Sequence, residues 1–162
     1  MNKLLLLFFA ATFITKVSVK DFKPAFGKWT GTITYLDYTS GKPFTMPANV
    51  SINKNKKDAK QLILAFEYPK EPQANGNDTL IISADGSMID NAKLVSKEDQ
   101  NGIMQIITEE SGIDGNDNKK ALIRYIYRIS KSSFIKRKEV KFEGEEKFIM
   151  RNEFKMVRWR NL

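Results

Sequence analysis

The residues that could do chemistry are few in kind. The 162-residue chain contains neither histidine nor cysteine. Ser-His-Asp triads, Cys-His dyads, histidine-ligated haem and zinc sites built on Cys and His are therefore excluded. Carboxylates, lysines, arginines, tyrosines and serines remain. Glycoside chemistry needs two acids flanking one cleft. Glu67, Glu109, Glu110 and Glu153 are candidates, but no spacing in the chain brings two of them together. The run Asp114-Gly115-Asn116-Asp117-Asn118 clusters oxygen ligands of the kind calcium takes. Its glycine is misplaced for an EF-hand and no bidentate Glu follows at the required distance. It reads as a turn, as does Asn75-Gly76-Asn77-Asp78. No metal or cofactor is expected, and no catalytic residue is assigned.

Binding chemistry has better material. Two segments near the C-terminus alternate cations with apolar residues. In the first, Leu122, Arg124, Ile126 and Arg128 share one face, and Ile123, Tyr125, Tyr127 and Ile129 the other. The second face is the more apolar and should point to the core, leaving Arg124 and Arg128 outside with their stems over the sheet. In the second segment, Phe134, Lys136, Lys138, Val140 and Phe142 oppose Ile135, Arg137, Glu139 and Lys141. The first of these faces is apolar at its ends and basic in its middle. If it is inward, Lys136 and Lys138 line a pocket for an anion; if outward, they are solvated. Parity alone leaves both open.

The formal charge is +8. From Lys119 to Arg160 there are 14 basic and 5 acidic residues. Such a surface favours anionic partners. Lysine and asparagine are nevertheless frequent throughout, and a general compositional bias accounts for the excess. A nucleic-acid partner is not expected.

The elements that must position these residues are strands. Met1-Asn2-Lys3 and the apolar run Leu4 to Ile14 read as a signal peptide, since eleven residues are too few to cross a bilayer as a helix. With a boundary after Ser18, residues 1–18 form the leader and 19–162 one domain, exported to the periplasm or secreted. That domain keeps 25 basic against 19 acidic residues. Its roughly 144 residues suffice for a real core. No other long apolar run follows, so no transmembrane segment is expected in the mature chain, and a monomer is expected.

Nine strands are predicted from alternation and turn signals. They are 27–38, 45–53, 60–68, 79–84, 88–95, 103–108, 121–130, 133–142 and 147–159. Long polar loops are expected at 69–78 and 111–120, and a hairpin turn at Asp85-Gly86. Sequential hairpins make an antiparallel meander, and one this long protects its edges by closing into a barrel or folding as a sandwich.

Gly27-Lys28-Trp29 at the head of the first strand resembles the Gly-x-Trp signature of the calycin superfamily, the lipocalin-like β-barrels. The resemblance covers about Phe26 to Arg160. It implies an all-β, up-and-down meander closed into a barrel of about 8–10 strands. It also implies that Trp29 closes one end against a cation of the last strand. Arg158 is the best match, with Arg160 and Arg151 behind it. The family's usual N-terminal helix is not evident in the chain. The chain also looks like exported bacterial lipocalin-like proteins of unassigned function.

The expected function is binding of a small apolar or amphipathic anionic ligand. The predicted ligand-binding residues are Phe66, Tyr68, Tyr125, Tyr127, Phe154, Lys136 and Lys138, with Phe134 and Phe148 as further aromatic supply. The alternative is a filled barrel that works through its surface, as an inhibitor or adhesion module, with the basic C-terminal third as contact face. A carboxylate-dependent hydrolase or isomerase is the third possibility.

Overall fold

The computed structural model of the protein describes residues 16–159. The apolar run Leu4 to Ile14 and Arg160 lie outside the described residues. Ten strands alternate with tight turns: β1 (Gly27–Asp37), β2 (Lys42–Lys54), β3 (Gln61–Glu67), β4 (Gly76–Ile81), β5 (Met88–Ile89), β6 (Ala92–Gln100), β7 (Ile103–Asp114), β8 (Lys119–Ile129), β9 (Ser133–Phe142) and β10 (Ile149–Arg158). Each strand pairs antiparallel with its sequence neighbours, except across the β4–β5 connection, and β1 also pairs with β10. The result is one all-β meander, nearly closed into a barrel. The unsealed seam lies between β4 and β5, where a single bridge joins Ile82 to Ile89. Asp90 holds the seam from one side. Its backbone N–H donates to the Ile81 carbonyl, and its carboxylate accepts from the Ile81 N–H.

Three departures from the sequence expectation have local causes. The predicted strand at 88–95 is two strands, because Asp90 takes a left-handed conformation (φ 53°) and turns the chain. The strand predicted at 103–108 runs on to Asp114, so the expected loop at 111–120 shrinks to a short turn. Its inward positions there are Glu110 and Gly112, which broke the apolar alternation. A seven-residue 3-10 helix, Val19–Ala25, precedes β1 and buries Phe22 and Ala25. Its Pro24 and mixed composition gave no amphipathic stripe to read.

The barrel interior is built in layers set by register. At one end Trp29 pairs with Arg158. The next layer is Ile129, Phe134, Met156 and Gly31, on four adjacent strands. These layers, with Val50, Ile52, Leu62, Leu64 and Leu80 opposite, form the dry core. Gly31 is required there, since a Cβ would sit 2.2 Å from the Lys155 carbonyl oxygen. Its absence lets β1 and β10 approach.

The closed end is stoppered by Trp29 and Arg158. Trp29 is fully buried, and its indole N–H donates to the Ala25 carbonyl at 2.6 Å. The Arg158 guanidinium lies 3.9 Å over the indole ring. It also donates to the carbonyls of Phe26, Pro24 and Lys131. Gly27 combines φ 112° with a Cβ position 3.0 Å from that guanidinium. This is the physical content of Gly-x-Trp in this chain: glycine makes room for the arginine that covers the tryptophan.

Lys16 to Ser18, which the sequence reading assigns to the leader, pack against the barrel. Val17 is buried and its N–H donates to the Gly86 carbonyl at 2.9 Å. The Ser18 N–H donates to the Asp21 carboxylate, which pairs with Lys97 on β6.

Arg158→Ala removes a cation–π contact and leaves three carbonyls without their donor, an expected loss of about 2–4 kcal/mol. Arg158→Lys should recover less than half of it, because one ammonium cannot reproduce the planar fork. Urea unfolding followed by circular dichroism measures both.

Candidate functional site

The interior changes character one layer above the dry core. Cross-strand register places Tyr127, Lys136, Phe154 and Ile33 in one row. The row above holds Tyr125, Lys138, Asn152 and Tyr35. Thus the face of β9 carrying Phe134 and Val140 is inward, and its two middle lysines enter the barrel. Tyr127 and Ile123 are buried on β8, so Arg124 and Arg128 point outward, as their more polar face requires.

A cleft of about 210 Å³ opens in these upper rows. Six of the seven predicted ligand-binding residues line it: Phe66, Tyr68, Tyr125, Lys136, Lys138 and Phe154. The seventh, Tyr127, is not among the lining. It sits deeper, with its ring edge-on to Phe22 at 5.5 Å between centroids. Phe134 packs on Trp29 in the core, and Phe148 lies on the outside beneath the Arg124 guanidinium.

Asp78 and Asn152 complete the lining. Sequence reasoning assigned neither. Asn152 was legible as the one polar residue on the Phe148–Met156 face of the last strand. Asp78 shares parity with buried Leu80 but lay inside a stretch read as loop.

The cleft has an aromatic floor and a polar rim. The Phe66 and Phe154 rings meet at 4.8 Å between centroids, tilted by 38°. Lys136 Nζ sits 5.9 Å from the Phe66 ring centroid and 3.1 Å from Asp78 Oδ2. The Asp78 side chain is half exposed. Lys138 pairs with Asp114, whose side chain is nearly buried. Asp114 also accepts from the Tyr38 hydroxyl at 3.0 Å and the Gly115 N–H at 2.7 Å, and lies 3.6 Å from Arg151 Nε. The Tyr125 hydroxyl donates to Glu110 at 3.0 Å.

These contacts set the protonation states. Burial pushes the Asp114 carboxyl up, but the hydrogen bonds from Lys138, Gly115 and Tyr38 outweigh it and leave the group below its ordinary value. Tyr38 is pushed up to about 12, by burial first and then by the Asp114 carboxylate. Tyr125 and Tyr127 are raised by burial and by neighbouring carboxylates. At neutral pH the rim therefore carries neutral phenols between ion pairs. It can orient a polar group.

The predicted turn at Asp114 thus resolves into the end of β7, with its acid committed to protein partners. Among the described residues no group of three acidic side chains could hold a metal ion. Two outward arginines of the basic third are also matched: Arg124 with Glu109 and Glu139, and Arg137 with Glu139 and Glu153. Among the described residues, no helix is long and apolar enough to cross a membrane.

No protein-family model matches the chain, and no curated protein matches it. Solved structures do. The crystal structure of Rv2717c from M. tuberculosis superimposes with a TM-score of 0.57, at 12% sequence identity, over 88% of this chain and 97% of that one. At that identity the likeness is one of fold.

Asp114→Asn should lower stability at pH 7 by about 1–3 kcal/mol, the cost of leaving Lys138 and its neighbours short of a charged acceptor. A depressed carboxyl stabilises above its unfolded value, near 4, and that contribution is lost as pH falls through the folded value. The gap between the two proteins should therefore narrow as pH falls below the ordinary carboxylate value and close once Asp114 is protonated in the folded protein. Thermal unfolding at stepped pH measures it.

Proposed function

We propose that this protein is an exported, calycin-like binder of one compact small molecule, with an apolar ring and an anionic end. The observation that carries the reading is the aromatic cleft of about 210 Å³ at the level where two lysines enter the barrel. Drug-sized ligand sites run to roughly 300–1,000 Å³, and an apolar cavity of about 150 Å³ takes benzene. The cleft volume suits a single ring with a short acidic substituent.

Lys136 is the expected partner of the acid. Its present partner, Asp78, is half exposed. An ion pair of that kind is worth roughly 0–1 kcal/mol. A ligand carboxylate can take its place and return Asp78 to water at small cost. Lys138 is held by an acid with several further partners and stays where it is. The aromatic floor of Phe66 and Phe154 gives the ring a resting place.

Two further supports concern class and location. Trp29 under Arg158 fits the calycin pattern of a tryptophan covered by a last-strand cation. The apolar run Leu4 to Ile14 supports export to the periplasm or beyond. Since Val17 is packed into the barrel, cleavage ahead of Lys16 fits the fold better than a cut after Ser18. The pairing of Arg124 and Arg137 weighs against the basic third as a contact face.

Thermal shift and calorimetry with benzoate, phenylacetate, decanoate and neutral benzamide test the reading. At a hundredfold excess over Kd, a bound ligand adds about 2.7 kcal/mol of stability. A ring carboxylate should stabilise and benzamide should not. Lys136→Met should weaken binding at least about tenfold, and Asp78→Asn should tighten it by removing the competing acid. Equal binding by Lys136→Met, or no response to any ring carboxylate, contradicts the proposal.

A further inference from the structure

Resting on the binding reading above, we propose that Asn152 determines specificity in the interior cleft, and that the ligand is a hydroxyaryl acid: one ring bearing a neutral hydroxyl as well as its carboxylate. Asn152 lies on the inward side of β10, in register with Tyr35 on β1 and Lys138 on β9. The next inward residues along the strand, Phe154 and Met156, are apolar and buried. Asn152 is half-buried and lines the cleft. Lys136, the expected partner of the ligand's acid, is the cross-strand partner of Phe154. Asn152 follows two positions further along that pairing, about 7 Å away at the backbone. One benzene ring with substituents on opposite sides spans such a separation.

What sets Asn152 apart is that most other polar side chains of the cleft are committed. Lys136 pairs with Asp78, Lys138 with Asp114, and the Tyr125 hydroxyl donates to Glu110. The Asn152 carboxamide has no hydrogen-bond partner among the described residues, and neither has the Tyr68 hydroxyl at the end of β3. On an outer face water meets such a need at no cost. On an inward face, with an aromatic ring as its neighbour along the strand, an amide without a partner is costly. It can both donate to and accept from a single group of the ligand. Charge decides which group. Each lysine of the lining already faces a carboxylate, and the ligand's own acid takes Lys136. No cation remains for a second anion, which Asp78 and Asp114 would repel. The second group is therefore neutral. A hydroxyl is the smallest neutral group that both donates and accepts, as a cleft of about 210 Å³ requires.

Calorimetry with benzoate, 3- and 4-hydroxybenzoate and the matching methylbenzoates tests the assignment. At least one hydroxybenzoate should bind about three- to tenfold more tightly than benzoate and than its methyl counterpart, the ordinary gain from one hydrogen bond. In Asn152→Leu, which keeps the size of the side chain, that advantage should vanish while benzoate binds as before. Asn152→Ala should abolish the same advantage. Isophthalate and terephthalate, which carry a second acid in place of the hydroxyl, should bind more weakly than the hydroxybenzoates. Wild-type protein that binds benzoate but gains nothing from either hydroxyl overturns the inference and leaves the reading of the cleft standing. So does an advantage that survives in both Asn152 variants, or one that is lost in Tyr68→Phe instead. Tighter binding of a diacid overturns the neutral second group. Failure of every ring acid to bind removes the inference together with the reading on which it rests.

Discussion

A single sheet cannot leave its edges bare, and everything else in this protein follows from how one pair of edges is joined. The first and last strands zip together over Trp29 to Tyr35 and Asn152 to Arg158. Sealing the bottom of that zipper falls to one residue, Arg158, which covers the Trp29 ring and reaches carbonyls on both sides of the junction. Two glycines make the geometry possible, one beside the guanidinium and one where the strands approach most closely. Once β1 and β10 are in register, side-chain direction is fixed on both strands from Trp29 to Tyr35 and from Asn152 to Arg158, because a slip by one residue would turn them over.

That register explains why the molecule is dry at one end and polar at the other. Counting upward from Trp29, the next layer is wholly apolar, and the first lysine enters in the layer after it. The charged groups in the upper half are satisfied pairwise rather than left to solvent, as burial demands. Beyond Glu109, β7 is paired by β8 alone as far as Asp114, with no partner from β6. The cleft lies among these interior charges, lined from the β3, β4, β8, β9 and β10 sides of the barrel.

Much of this was legible in the sequence, for a definite reason. Strict alternation in β8 identified its inward face, and the Gly-x-Trp with a distant arginine anticipated the closed end. The β9 strand was not decidable, because its inward face is apolar at both ends and basic between. Only the register with Tyr125 and Asn152 resolves it. The upper part of β7 was unreadable as a strand because Glu110 and Gly112 occupy core-side positions. The 3-10 helix carries no stripe, and the docking of Val17 depends on Gly86, far away in the chain. Asp78 was hidden by its loop-like neighbours. The β9 lysines and the docking of Val17 needed a tertiary contact to be read, whereas at Asp90, at Glu110 and Gly112, and at the bulge between Met150 and Asn152 the local alternation itself is broken.

The central claim is that the upper barrel is a ligand site rather than an accident of imperfect closure. Native mass spectrometry of the gently purified protein tests it most directly. The account predicts a single small-molecule adduct that is lost on denaturation, or that appears on incubation with ring carboxylates and disappears in Lys136→Met. A mass that stays clean through lipid, aromatic-acid and haem panels would contradict it.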